Sequence, residues 1–142
     1  MALTPFNFDL DTNTQTEESV VVVKQPSKTW ALDLVQGRII SKIDGKEAVR
    51  QYIRKALMTY RNRYLIYDDF YGEEIRDLIG HDLTPALMLV EIPRLVREAI
   101  IYDDRIESVP SVKVDKYGSD GVLVTVTVIL VDGDLITEEV TI

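Results

Sequence analysis

Along "VLVTVTVILV" every second residue is apolar. Val122, Val124, Val126, Val128 and Leu130 share one face at a period of two, while Thr125 and Thr127 mark the opposite face as only partly buried. "PSVKVDK" and "YGSDG" precede this run, and "DG" and "DLITEEVTI" follow it, so the last third of the chain predicts three antiparallel strands in a meander. Asp132-Gly133 is a strong two-residue hairpin signal. A different period governs "GKEAVRQYIRKALMTYRNR". Here Val49, Tyr52, Ile53, Ala56, Leu57 and Tyr60 recur on one face of a 3.6-residue repeat, which predicts an amphipathic helix. Asp44 stands at its N-cap position, and Arg50, Arg54, Lys55 and Arg61 lie off the apolar face or near the C-terminus, where cations suit the helix dipole.

The remaining segments read from their punctuation. In "KTWALDLVQGRIISKIDG", Trp30, Leu32 and Leu34 alternate, a turn falls at Gln36 and Gly37, and Ile39 and Ile40 continue, which predicts a short hairpin. "YLIYDDFYG" predicts an irregular stretch or a short strand. "EEIRDLIG" predicts a short helix with two glutamates in its first turn and Gly80 as its stop. In "HDLTPALMLVEIPRLVREAIIYDD", Thr84 is a good N-cap and Pro85 takes the tolerated first position, while Pro93 is expected to kink or split the helix. Within residues 1–25, positions 1–19 are polar and acidic, with Phe6, Phe8 and Leu10 alternating, and the β-prone "SVVVVK" that follows is ended by Pro26. They predict a flexible or partner-bound arm ahead of a single domain over 26–142. The fold expected is α+β: an N-terminal β-hairpin, two to three helices, and a C-terminal antiparallel three-stranded meander packed on the helices.

Composition narrows the chemistry. The formal net charge is −8, which disfavours nucleic acid and anionic membrane surfaces, since both demand clustered Lys and Arg. A protein or small-molecule partner is expected. There are no cysteines, hence no disulfides or thiolate chemistry. The first residues show neither the basic nor the apolar region of a signal peptide, and no apolar run approaches the roughly 20 residues of a membrane span. One histidine, His81, has no ligand-spaced neighbours, and the Gly-rich phosphate loop, the GxSxG elbow and the acidic calcium loop are all missing from the sequence. No catalytic, cofactor-binding or metal residue is therefore assigned. A glycosidase needs only a carboxylate pair roughly 5–9 Å apart, a condition that nearly any acidic chain can meet.

"IYDD" occurs twice, at 66–69 and 101–104. Asp68, Asp69, Glu73 and Glu74 precede a predicted helix, where acids suit the dipole. Asp103 and Asp104 follow one, where they need a cation such as Arg105. The two copies read as similar boundary elements, with Tyr67 and Tyr102 packing and the aspartates exposed.

"TWALDLVQGRIISKIDGKEAVRQYIRKALMTYRNRYLIYDDFYGEEIRDLIG", followed by "REAIIYDDRI", resembles the baseplate wedge, or sheath-initiator, family of contractile phage tails, and within it the members found in defective phage-like particles of Bacillus and related prophages. The resemblance covers roughly residues 28–106. Its most specific elements are the helix ending at Thr59 with Arg61 and Arg63, the "YG" then "LIG" segment, and "REAIIYDDRI". It implies an assembly role: a structural component of the tail baseplate that binds other wedge proteins and offers a sheet edge to the first ring of sheath subunits. It also implies assembly in the host cytoplasm and a final place in the particle's tail. Some members carry the label tail lysozyme, which makes a peptidoglycan hydrolase the alternative, but no catalytic pair here matches residue by residue. The family's Glu-Pro-Arg motif has "EIPR", Glu91 to Arg94, as its nearest string, with one residue inserted.

The polar interface candidates are Arg61, Arg63, Glu91, Arg94, Arg97, Asp103, Asp104 and Arg105; for each the plain alternative is a solvated or intramolecular pair. Residues 134–142, with Ile136, Glu138, Val140 and Ile142, are the candidate strand for pairing with a partner. The plain alternative is an edge of the domain's own sheet, on which Glu138 and Glu139 would discourage indiscriminate pairing.

Overall fold

The computed structural model describes residues 27–79, 81, 84–118 and 121–142. The arm expected over 1–25 and the helix stop expected at Gly80 lie outside the described residues. Strands β1 (Thr29–Asp33) and β2 (Arg38–Ile43) form the expected antiparallel hairpin. Asp33 shapes its turn, its carboxylate accepting from the Val35 and Gln36 amides, and the Gly37 N–H closes it on the Asp33 carbonyl at 2.8 Å. Gly37 has φ +65°, a conformation that glycine adopts without strain.

Helix α1 (Gly45–Met58) starts at the predicted cap, with the Asp44 carboxylate accepting from the Gly45 amide. Val49, Ile53, Ala56 and Leu57 of the predicted stripe are buried along it, joined by Ala48, while Tyr52 and Tyr60 are half-buried. Gln51 leaves this helix to reach the hairpin. Its Oε1 accepts from the Leu32 amide and its Nε2 donates to the Trp30 carbonyl, both at 2.7 Å. The side-chain amide thus stands where a neighbouring strand's peptide would stand along β1.

After α1 the chain makes a tight excursion and returns. The Arg61 amide donates to the Glu73 carbonyl at 3.0 Å and the Glu73 amide to the Thr59 carbonyl at 2.8 Å, so the loop is closed by a parallel bridge. Gly72 sits at the closure with φ +106°. A Cβ there would lie 2.7 Å from the Thr59 carbonyl oxygen, so only glycine fits. Helix α2 (Ile75–Ile79) follows. Glu73 caps it from outside the first turn, its Oε2 accepting from the Ile75 and Arg76 amides.

Helix α3 (Pro85–Ile100) starts on Thr84, which accepts from the Leu87 amide. It continues through Pro93 as one element rather than two. Proline removes one intrahelical donor, and Ile92, Leu95, Val96, Ala99 and Ile100, all buried around and beyond it, offset that loss.

Strands β3 (Ile106–Tyr117), β4 (Gly121–Leu130) and β5 (Leu135–Thr141) form the expected meander in the order β3-β4-β5. β3 begins earlier than the apolar pattern foretold. Its register slips twice between Ile106 and Ser111, around Pro110, which an edge strand tolerates. The turn into β5 differs from the two-residue hairpin expected. Leu130 pairs with Asp134, so Val131, Asp132 and Gly133 span it, with Gly133 at φ +85° donating to the Leu130 carbonyl. That is the three-residue loop with a glycine bulge, which the same Asp-Gly pair also serves. Val122, Val124, Val126, Val128 and Leu130 face inward as a block. α3 lies against β3, α1 against β5, and the core fills the space between these helices and one face of the sheet. Among the described residues no helix is long and apolar enough to cross a membrane.

Candidate functional site

β5 bounds one side of the sheet. Its hydrogen-bonded partners on β4 fix which way each peptide points. Val122 exchanges both bonds with Ile142, and Leu130 donates to Asp134, so Ile142, Val140, Glu138, Ile136 and Asp134 direct their main chains toward β4. The alternate residues, Leu135, Thr137, Glu139 and Thr141, direct their N–H and C=O groups out of the sheet. All four also have exposed side chains. This is a ladder that another strand can complete.

The inward residues of β5 serve the fold. Ile136 and Val140 are buried in the core, and Ile142 packs against it half-buried. Glu138 is 5% exposed, and its carboxylate accepts from the Arg54 guanidinium of α1. The edge is therefore guarded by one inward-pointing charge and one outward one, Glu138 and Glu139, where the sequence reading treated the two alike. The period-two pattern carried the signal, since Glu138 alternates with Ile136 and Val140. Arg54, its partner, reads from the sequence only as a cation off the apolar face of α1.

The arginine candidates divide. Arg61 is 9% exposed and holds the excursion to the helices: its Nη1 lies 3.3 Å from Glu74 Oε1 and 3.2 Å from Glu98 Oε1, and its Nε donates to the Gly72 carbonyl. Arg63 is exposed. Glu91 and Arg94 sit one turn apart on α3, joined at 2.9 Å, and Arg94 also reaches Glu98 at 3.2 Å, a charged ridge open to solvent. Arg97 is exposed and donates to the Val109 carbonyl. Glu98, absent from the candidates, joins Arg61 to Arg94.

Asp103 and Arg105 form a bidentate pair, 2.6 and 2.8 Å, at the end of α3, which answers the need for a cation there. The pairing and the neighbouring Asp104 hold the Arg105 guanidinium above its ordinary pKa. Around them runs a groove between the hairpin, α1 and the two "IYDD" segments, walled by Trp30, Tyr52 and Tyr71. Burial, with Asp103 nearby, pushes the Tyr52 phenol up to about 12, and burial raises Tyr71 as well. Leu65 and Ile66 stand almost wholly in solvent, and Tyr64, Phe70, Ile101 and Tyr102 are largely exposed too.

Glu73 is a second buried carboxyl, at 0% exposure. Burial raises its pKa above the ordinary glutamate range, against the lowering effect of the two amides that it caps. It is sealed from solvent, so no substrate meets it. Among the described residues no group of three or more His, Asp or Glu is placed to hold a metal ion. His81 is exposed, with its Nδ1 against the Asp77 carbonyl.

The profile of the contractile injection system sheath initiator family matches residues 6–133. The chain belongs to that family. Phage-like element PBSX protein XkdS of Bacillus subtilis (strain 168) is 39% identical over 142 residues, covering 99% of this chain and 96% of that protein. A solved structure described as a putative tail lysozyme from Geobacter sulfurreducens shares the fold, with a TM-score of 0.58 at 21% identity over 68% of this chain and 88% of that one. As a sheath-initiator family member, and a relative of a phage-like element protein, the chain has a structural role in a contractile phage-type tail.

Proposed function

We propose that this chain works in the baseplate of a contractile phage-like tail, where it binds other wedge proteins through its helical side and starts sheath assembly by lending the edge of β5 to a strand of the first sheath subunit. One observation carries the reading: Leu135, Thr137, Glu139 and Thr141 direct their peptide groups outward from an edge strand whose inner face is locked into the core. The charged ridge of Glu91, Arg94 and Glu98 on α3 is the candidate wedge contact. The protein would join the baseplate in the host cytoplasm and stay with the particle. The reading is non-enzymatic, since the carboxyl with a raised pKa caps a helix out of reach of solvent.

The test leaves the fold intact. Deleting β5 would remove Ile136 and Val140 from the core. Thr137→Pro with Glu139→Pro instead removes two outward donors and places rings where a partner strand must dock, while the β4 ladder keeps its bonds. Co-expressed with the neighbouring tail proteins, the double variant should form baseplates that carry no sheath in electron micrographs. Normal sheath on that variant would refute strand lending. Cell-wall lysis by the purified chain would overturn the non-enzymatic reading.

A further inference from the structure

The two "IYDD" segments lie far apart in sequence and side by side in space. The Phe70 ring, just after the first copy, meets the Tyr102 ring of the second at a centroid distance of 5.2 Å. Beside them opens a cleft of about 520 Å³, lined by Asp68, Asp103 and Asp104 and otherwise by phenylalanine and tyrosine rings. Among the described residues that line it there is no Lys or Arg.

The neighbouring groove shows what such surroundings hold. The Arg105 guanidinium lies 5.8 Å from the Tyr52 ring centroid while it clasps Asp103. The Lys55 ammonium lies 5.0 Å from the Tyr67 ring and 5.6 Å from the Tyr71 ring, and Lys42 lies 4.9 Å from Trp30. Phe70 and Tyr102 differ. Both are more than half exposed, and among the described residues no cation lies over either ring. The acids beside them keep open acceptors: among the described residues the Asp68 carboxylate accepts only from the Phe70 amide of its own turn, and Asp104 makes no hydrogen bond or ion pair and acts on Arg105 only at longer range.

We infer that the paired "IYDD" segments receive an arginine side chain from a partner protein, its guanidinium on the Phe70 and Tyr102 rings and against the carboxylates of Asp68 and Asp104. This rests on the assembly role proposed above and names the chemistry of one contact. A guanidinium is planar, stacks on rings and bonds carboxylates in a fork, so it uses both features of the cleft, while an ammonium uses charge alone. The exposed Leu65, Ile66 and Ile101 extend the surface beyond the cleft and suit a polypeptide around the arginine rather than a free cation. Asp68 and Asp104, with no basic residue among the described lining, disfavour a nucleic-acid backbone.

The experiment is a ¹⁵N NMR titration of the full chain with acetyl-Ala-Arg-Ala-amide, and with the same peptide carrying lysine or the neutral isostere citrulline. The arginine peptide should give saturable shifts centred on Asp68, Phe70, Tyr102 and Asp104. The lysine peptide should bind more weakly, and the citrulline peptide should leave those signals in place. Asp68→Asn with Asp104→Asn changes exposed side chains only, and should keep the spectrum of a folded protein while weakening arginine binding about tenfold. No saturable shift, shifts centred elsewhere, equal shifts from citrulline, or equal binding of lysine each overturn the inference. The titration uses the isolated chain, so its failure is distinct from failure of sheath assembly in the β5 variant.

Discussion

Arg54 is half exposed, yet it neutralises a carboxylate that is not. Glu138 stands 5% exposed on the core face of β5, between Ile136 and Val140, and the Arg54 guanidinium is its ion-pair partner. Arg54→Met removes that cation and leaves the charge against an apolar helix face. Breaking a buried pair from one side costs about 3–5 kcal/mol. The outer half of Arg54 is in water, and solvent reaching the truncated site lowers the expected loss to about 2–3 kcal/mol. For a chain of this size that corresponds to a melting temperature lower by roughly 5–10 °C. Glu138→Leu combined with Arg54→Met removes both charges and should return most of the loss, because apolar replacement of such a pair is near neutral. Urea unfolding of the single, the reverse single and the double variants gives the coupling energy directly. A single variant within about 0.5 kcal/mol of the parent, or a double variant worse than the sum of both singles, would refute the argument that the pair offsets a buried charge.

Three further outcomes follow from the interior. Gly72→Ala forces a Cβ to 2.7 Å from the Thr59 carbonyl at φ +106° and should cost about 3 kcal/mol in chemical denaturation. Arg61→Met leaves the Gly72 carbonyl, Glu74 and Glu98 without their shared donor, so a loss of about 3 kcal/mol and faster amide exchange across residues 61–73 are expected. Glu73 has a folded-state pKa raised by burial, so the native state binds its proton more readily than the unfolded chain does, and this group's penalty shrinks as pH falls through the raised value. Glu73→Gln keeps an acceptor for the Ile75 and Arg76 amides. Its thermal stability should exceed the parent's at pH 7, and the gap should close as pH falls toward the ordinary glutamate range; a gap that widens in acid would contradict the assignment.

The architecture was legible because its two long signals are local. The alternating valines of β4 and the apolar stripe of α1 each specify an element and the face that it buries. What the sequence hid depends on partners distant along the chain. Arg61 reads as an exposed base near a helix end until Glu98, 37 positions away, is folded against it. Arg54 and Glu138 are 84 positions apart, and nothing near Arg54 marks it as a core partner. At Pro93 the split that its local cost allowed does not occur, because burial along α3 outweighs the lost donor. The "IYDD" repeat was visible, but a repeat says nothing about whether its copies meet, and here they do.

The amide of Gln51 gives the amino-terminal hairpin a direction. By holding the Trp30 carbonyl and the Leu32 amide, it occupies one flank of β1 as a stand-in strand, one residue long. A sheet blocked on that flank can lengthen only across β2, whose residues from Arg38 to Lys42 all face solvent. The hairpin thus has one flank closed by its own helix and one left open, so any strand added to it must arrive from the β2 side, and a particle that used it would inherit that one-way geometry.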